Sequence, residues 1–153
     1  MSTVSIWVPG EPTTQGSMKA FVNHTTGRVV VRHGSEKTRT WRDEIAAVCR
    51  HDLGERHAPA GIPVYVTLKF VLPRPPSHWR KDGTPRAGAP AFPRLDLDKL
   101  TRAALDALTG VAWADDSQAT ALTAEKRYQH RPDDPAGVVV LLTARWTHSK
   151  ENH

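Results

Sequence analysis

The sequence has little of what marks a secreted or membrane protein. Its 153 residues include a single cysteine, Cys49, which excludes an internal disulfide and fits a reducing compartment. Its best apolar run covers residues 138–142, whereas a membrane-spanning helix needs about 20 apolar residues. Residues 1–8 lack the basic region and the long apolar region of a signal peptide. These absences predict a cytoplasmic protein with no membrane segment.

Motifs of several other functional classes are also missing. The sequence has no glycine-rich phosphate-binding or dinucleotide-binding motif, and no serine at a nucleophile elbow. Cys49, His51 and His57 could suggest zinc, but no second pair of ligands follows at zinc-finger spacing. The function of the chain therefore has to be predicted from its net charge and from the positions of its aspartates.

The chain carries an excess of positive charge. Lysine and arginine number 21 against 16 aspartates and glutamates, which gives a formal net charge of +5 and a pI of about 9.7. A basic balance favours a polyanionic partner such as nucleic acid, although many basic proteins bind none. With 39% hydrophobic and 24% charged residues, the composition is that of a globular protein, and the length suits one domain.

The hydrophobic periodicity predicts an α+β fold. Alternating apolar residues indicate strands, and helical spacing, as at Trp41 and Ile45, indicates helices. The predicted strands are 3–8, 19–23, 28–32, 63–72, 119–128 and 137–146, and the predicted helices are 36–53 and 98–108. This order implies a mixed β-sheet packed with two main helices in a single domain, residues 1–146. Residues 147–153 are expected to form a disordered polar tail.

Residues 73–94 differ from the rest of the chain, because they hold half of its 12 prolines and five basic residues against one acid, Asp82. A long irregular segment in a compact domain is usually either functional or disordered, and basic residues there suit a phosphate backbone. Trp79 is the aromatic side chain that we expect to be exposed enough to stack on a base or sugar. A second basic group, on strand 119–128, indicates either DNA contact or a solvated strand edge. The candidate DNA-binding residues are Arg74, Trp79, Arg80, Lys81, Arg86, Arg94, Lys126 and Arg127.

A cluster of acids follows the basic segment. Asp96 and Asp98 stand two residues apart at the predicted start of a helix, and Asp116 comes 18 residues after Asp98. Carboxylate oxygens suit a hard cation such as Mg²⁺ or Mn²⁺, so these three acids could share one divalent ion. Two other interpretations stay open, namely helix caps at Asp96 and Asp98 and a turn at Asp115-Asp116. Asp106, about 15 Å from Asp96 by helical rise, is expected to be structural.

Three sequence elements in this order resemble the RusA family of Holliday junction resolvases. They are Asp96-Leu97-Asp98, then Leu105-Asp106-Ala107-Leu108-Thr109-Gly110, then Trp113-Ala114-Asp115-Asp116-Ser117-Gln118. The resemblance implies a Mg²⁺-dependent homodimeric endonuclease, with Mn²⁺ as a substitute, that resolves four-way DNA junctions in recombination and repair. It also implies that Asp96, Asp98 and Asp116 are catalytic metal ligands, with Asp116 preferred to Asp115 as the second acid of the pair.

The chain departs from the family pattern at two positions. Lys99 stands where the family often has asparagine, and Arg102 stands where the family places a catalytic lysine. An arginine keeps the charge and can bind a phosphate through two hydrogen bonds, but it does not readily give up a proton. Arg102 therefore predicts electrostatic stabilisation of the transition state, or else a surface ion pair with Asp98 or Asp106. It also leaves open an alternative function, a non-catalytic DNA-junction-binding protein that retains the fold.

Overall fold

The computed structural model of the chain describes residues 1–14, 19–22, 29–32 and 36–148, with side chains at 1–14 and 38–148. The turn of the first predicted hairpin and residues 149–153 lie outside these ranges. The elements in chain order are β1 (Ser2–Pro9), β2 (Lys19–Val22), β3 (Val29–Arg32), α1 (Glu36–Leu53), β4 (Arg56–His57), β5 (Val64–Leu72), α2 (Leu97–Leu108), β6 (Ala119–Tyr128), β7 (Gly137–Ala144) and β8 (Thr147–His148).

Four strands form the main sheet, in the order β1-β7-β5-β6. β7 pairs antiparallel with both β1 and β5, whereas β5 and β6 pair in parallel because α2 lies in the connection between them. Two smaller antiparallel pairs join β2 to β3 and β4 to β8. The mixed sheet and the two main helices confirm the predicted α+β class.

One face of the main sheet is buried in the core that it shares with the two helices. Along β5 the alternating residues Val64, Val66, Leu68 and Phe70 are at most 2% exposed, as the two-residue period of a strand requires. α1 contributes Trp41, Ile45, Cys49 and Leu53 to this core, and α2 contributes Leu100, Ala104 and Leu108. Each large side chain buried in this way stabilises the fold by about 1.5–3 kcal/mol. The core therefore fixes α2 against the sheet, next to the edge strand β6.

The proline-rich segment 73–94 is an ordered loop with hydrogen bonds of its own. Trp79 forms an isolated β-bridge with Pro85. The Asp82 carboxylate accepts hydrogen bonds from the hydroxyl and the amide of Thr84, at 2.6 and 3.0 Å, and these bonds lower the pKa of Asp82. The segment thus presents its basic side chains from a defined backbone.

The C-terminal part of the described chain differs from the expectation. Thr147 and His148, expected within a disordered tail, form β8 and pair with the short strand β4. The indole nitrogen of Trp146 donates to the carbonyl oxygen of Ser2 at 3.0 Å, which anchors the chain just before β8. No helix within the described ranges is both long and apolar enough to cross a membrane.

Candidate active site

Asp96 and Asp98 lie where extended backbone gives way to α2. Asp96 precedes the helix, with φ −66° and ψ 126°, and its carbonyl oxygen accepts a hydrogen bond from the amide of Leu100 at 3.0 Å. Its side chain makes no capping hydrogen bond, and one carboxylate oxygen lies 3.6 Å from Nζ of Lys99. Asp98, in the first turn, is exposed and belongs to none of the ion pairs among the described side chains. The capping interpretation therefore fails for Asp96, and both carboxylates have oxygens available for a cation.

A cavity of about 630 Å³ lies between α2 and β6. Three members of the predicted site line it, namely Asp98, Arg102 and Asp116. Asp106, which we expected to be structural, lines it too, because residues four apart recur on one face of a helix. The other lining residues are Leu97, Thr101, Leu105, Leu122 and Ala124. The cavity thus combines carboxylates and one guanidinium group with a mainly apolar floor.

Arg102 is exposed beside this cavity. Among the described side chains it forms no ion pair with Asp98 or Asp106, so the surface pair considered from the sequence is not made. One helical turn separates it from Asp98 on the same face of α2. Its guanidinium group is therefore available to an anion that enters the cavity.

The Asp115-Asp116 pair begins a short 3-10 turn that leads into β6. The Asp115 carboxylate caps this turn by accepting a hydrogen bond from the amide of Ser117 at 2.9 Å, and this bond is the main reason why the pKa of Asp115 is lowered. Gln118 completes the cap, because its Oε1 accepts from the amide of Asp115 at 3.0 Å. One acid of the pair is therefore used as a cap, and the other, Asp116, faces the cavity.

Gln118 also ties this turn to the core. Its side chain is buried, at 5% exposure, and its Nε2 lies 3.2, 2.8 and 3.0 Å from the carbonyl oxygens of Ala58, Pro59 and Ile62. Those three carbonyls belong to the connection between β4 and β5. A buried amide with several partners holds its neighbours firmly, so the position of Asp116 is fixed relative to the sheet.

Asp116 lies next to the C-terminal end of α2. The hydroxyl of Thr109, the residue that ends the helix, donates a hydrogen bond to Oδ1 of Asp116. The same hydroxyl oxygen accepts a hydrogen bond from the indole N–H of Trp113, a buried side chain, at 3.0 Å. A chain of two hydrogen bonds thus leads from the core to this carboxylate.

The structure does not bring Asp116 to the other two aspartates within one chain. Asp98 stands in the first turn of α2, and Thr109, the partner of Asp116, is about 16 Å further along a helix that rises 1.5 Å per residue. In the ranges that the structure describes, no group of three or more histidine, cysteine, aspartate or glutamate side chains is arranged to hold a metal ion. The Asp96 and Asp98 pair therefore stands at one end of α2, and Asp116 stands at the other.

Comparison with known protein families identifies the family of this chain. The family Endodeoxyribonuclease RusA matches residues 9–140, which is most of the chain. The chain is a member of the RusA family. The search of curated proteins gave no match. RusA membership confirms the resemblance carried by the three acidic sequence elements, and it implies an endonuclease that acts on DNA.

A DNA substrate directs attention to the basic side chains of this RusA protein. Arg80, Lys81 and Arg94 are exposed, and no side-chain hydrogen bond or ion pair engages them among the described residues. Phe92, in the same loop, is 65% exposed. The three basic side chains are free to meet a nucleic acid, whereas the ring centre of Phe92 lies 5.8 Å from Nζ of Lys126. Sequence periodicity could not single out Phe92, because it lies outside any helix or strand.

Other candidate DNA-binding residues are used within the fold. The guanidinium group of Arg74 lies 4.5 Å from the ring centre of Tyr128 and 5.8 Å from that of Trp79, and it donates to the carbonyl oxygen of Pro90 at 2.8 Å. Trp79 is half-buried beside it. The expectation that Trp79 is the exposed stacking aromatic of the loop is therefore wrong, because its ring packs under Arg74.

Two further arginines of the predicted DNA surface also have partners. Arg127 forms an ion pair with Asp134 at 2.8 Å, which is the main cause of the lowered pKa of Asp134. Nε of Arg86 donates to the carbonyl oxygen of Trp79 at 3.0 Å. These contacts stabilise the β6–β7 connection and the proline-rich loop.

Lys126 connects β6 to the segment that precedes the acids. Its Nζ donates hydrogen bonds to the carbonyl oxygens of Pro93 and Leu95, at 2.8 and 2.7 Å. Leu95 is the residue before Asp96. Sequence reasoning offered Lys126 as a DNA contact and missed this internal role, since no local pattern shows that a distant loop returns to the strand.

Proposed function

We propose that the chain is a divalent-metal-dependent endonuclease that resolves four-way DNA junctions in recombination and repair, as a two-fold homodimer. A single domain over residues 1–146 would carry this activity. The observation that carries the proposal is the position of Asp98 and Asp116, which line one cavity from opposite ends of α2. Family membership supplies DNA as the substrate.

Asp96 and Asp98 would hold the metal within one subunit. Mg²⁺ is usually bound by one or two carboxylates, with water and phosphate oxygens as its other ligands, so an exposed Asp-x-Asp pair suits Mg²⁺, with Mn²⁺ as a substitute. When bound, the ion would lower the pKa of a water ligand and stabilise negative charge at the scissile phosphate. The absence of a capping hydrogen bond from the Asp96 side chain supports this role.

The third carboxylate, Asp116, would come from the second subunit. When two α2 helices lie antiparallel across a two-fold axis, the Asp116 end of each helix lies beside the Asp98 end of the other. The apolar floor of the cavity offers a surface for this contact, and Leu122 within it is 48% exposed. Two such composite sites match a four-way junction, which has approximate two-fold symmetry and two strands to be cut.

Arg102 would act on the phosphate group directly. Its unpaired guanidinium lies on the same helix face as Asp98 and can donate two hydrogen bonds to the oxygens of one phosphate. Because a guanidinium group does not readily give up a proton, the contribution of Arg102 would be electrostatic rather than proton transfer. Arg80, Lys81 and Arg94 would hold the junction arms through phosphate contacts, which position DNA without specifying its sequence.

The alternative function, a non-catalytic junction-binding protein, assigns non-catalytic roles to the aspartates. It uses the acids only as helix caps, and it is kept open by Arg102, which stands where the family has a catalytic lysine. The Asp96 side chain forms no cap, and Arg102 has no ion pair among the described residues. These observations favour the catalytic proposal.

A subunit-mixing experiment tests the composite site. Asp98→Asn and Asp116→Asn chains with different affinity tags are co-expressed, and the mixed dimer is purified through both tags. One of its two sites then carries both substitutions and the other carries neither, so we expect it to nick one strand of a labelled four-way junction in Mg²⁺. Each variant alone should bind the junction without cutting it.

The controls separate the competing outcomes. A doubly tagged parent dimer must cut the junction, and a linear duplex of the same sequence measures junction selectivity. An inactive mixed dimer beside an active parent would place all three aspartates within one subunit. A parent protein that binds the junction but cuts nothing in Mg²⁺ or Mn²⁺ would identify the non-catalytic alternative as correct.

A further inference from the structure

We infer that Thr109 is a positioning residue that orients the Asp116 carboxylate for metal binding, an inference that rests on the proposed function. Thr109 ends α2, and its hydroxyl donates to Oδ1 of Asp116. Oδ2 of Asp116 receives no hydrogen bond from the described residues. The threonine thus fixes one oxygen of the carboxylate and leaves the other for a cation.

The hydrogen-bond directions follow from the number of protons available. A hydroxyl has one proton to donate and two lone pairs. The N–H of Trp113 occupies one lone pair of Thr109 at 3.0 Å. The carbonyl oxygen of Leu105, which also accepts the amide of Thr109 at 3.1 Å, lies 3.0 Å from the same hydroxyl and competes with Asp116 for its one proton. A carboxylate oxygen is a stronger acceptor than a peptide carbonyl oxygen, so the proton is directed to Asp116.

The other end of this chain is rigid. Trp113 is 2% exposed, and its backbone forms β-bridges with Ala58 and Thr109. The indole therefore holds the threonine oxygen in place, and the threonine holds the carboxylate. Groups that orient metal ligands in this way commonly change metal affinity about 10–100-fold when they are removed.

Side-chain substitution separates this role from simple packing. Thr109→Val keeps the branched shape and removes the hydroxyl, whereas Thr109→Ser keeps the hydroxyl and removes the methyl group. We expect Thr109→Val to weaken Mn²⁺ binding by about 10-fold or more, and Thr109→Ser to bind Mn²⁺ like the parent. A packing role predicts the reverse order of effects on the two variants.

Mn²⁺ binding is measured directly, from the electron paramagnetic resonance signal of the free ion, with junction cleavage as a second readout. Asp116→Asn is the positive control for loss of the ligand. Should Thr109→Val fail to fold, Thr109→Ala and Thr109→Ser form a second pair, since both lack the methyl group and one of them keeps the hydroxyl.

The outcomes distinguish this inference from the proposed function. When the parent binds Mn²⁺, Asp116→Asn does not, and the hydroxyl-free variants match the parent, Thr109 has no positioning role and the proposed function stands. When the parent itself neither binds Mn²⁺ nor cuts the junction, the proposed function and the role of Thr109 fall together.

Discussion

Nζ of Lys126 lies 2.7 Å from the carbonyl oxygen of Leu95, the residue that immediately precedes Asp96. A second bond, to the carbonyl oxygen of Pro93, is 2.8 Å long. An edge strand of the sheet therefore holds the backbone from which the acidic motif starts. The first prediction follows from this contact.

Lys126→Met keeps most of the aliphatic stem and removes both hydrogen bonds. We expect it to lower the free energy of unfolding by about 1–3 kcal/mol, since the donor is charged and the carbonyls lose their partner. Urea unfolding measures this loss. The slope of log K against log salt for junction binding should stay at the parent value. A shallower slope would mean that Lys126 contacts a phosphate.

Arg80 and Lys81 are exposed and free of side-chain partners among the described residues, so they offer the sharpest test of the DNA surface. Changing both to Ala should weaken binding to all sequences alike. Each lost phosphate contact should reduce the salt slope by about 0.9. Arg127→Ala is the matched control, because that arginine is paired with Asp134. Equal slopes for the parent and the double variant would show that the proline-rich loop does not contact DNA phosphates.

Arg102 stands where the RusA pattern has lysine, which allows a comparison of charge and shape. Arg102→Lys should retain or raise cleavage, because it restores the family residue and keeps the charge. Arg102→Ala should slow single-turnover cleavage by about 10² or more, the scale for losing one transition-state donor. Rates of the parent and Arg102→Ala that agree within experimental error would show that the arginine is not catalytic.

Cys49 should be unreactive in the folded protein. Burial, with a smaller contribution from Asp52, raises the pKa of its thiol to about 12. A raised thiol pKa keeps the folded state protonated, so its contribution to stability is present below about pH 8.5, the pKa of an unfolded cysteine, and declines above it. Reaction with a disulfide reagent at pH 8 should therefore be slow in buffer and rapid in urea. Rapid reaction in buffer would contradict the burial of this side chain.

Sequence periodicity predicted most of the fold because each strand and helix depends on its own local pattern. The predicted helix 36–53 coincides with α1, and the alternating residues of β5 are buried as expected. The contact of Lys126 with Leu95 and that of Arg74 with Tyr128 depend on distant segments that meet in space, so no local pattern reveals them.

For the three aspartates too, local features could be predicted from the sequence and long-range features could not. The spacing of Asp96 and Asp98 placed them correctly at the start of α2. The distance from Asp98 to Asp116 could not be predicted, because it depends on where the chain turns after the helix. Gly110 has φ 85°, and its amide N–H donates a hydrogen bond to the carbonyl oxygen of Trp113 at 2.7 Å. These two features keep the turn beside the end of the helix. This turn brings Asp116 within hydrogen-bond distance of the Thr109 hydroxyl.

The buried side chain of Gln118 has a consequence for the order in which the protein loses structure on heating. It fastens the Asp116 turn to three backbone carbonyls near the core, whereas the hydrogen bonds from Lys126 hold the Asp96 segment from the sheet edge. Segments held by fewer buried contacts open at lower free energy. The amide hydrogens of Arg94, Leu95 and Asp96 should therefore exchange with solvent well before those of the Asp116 turn, and activity should fade at temperatures where the core is still intact.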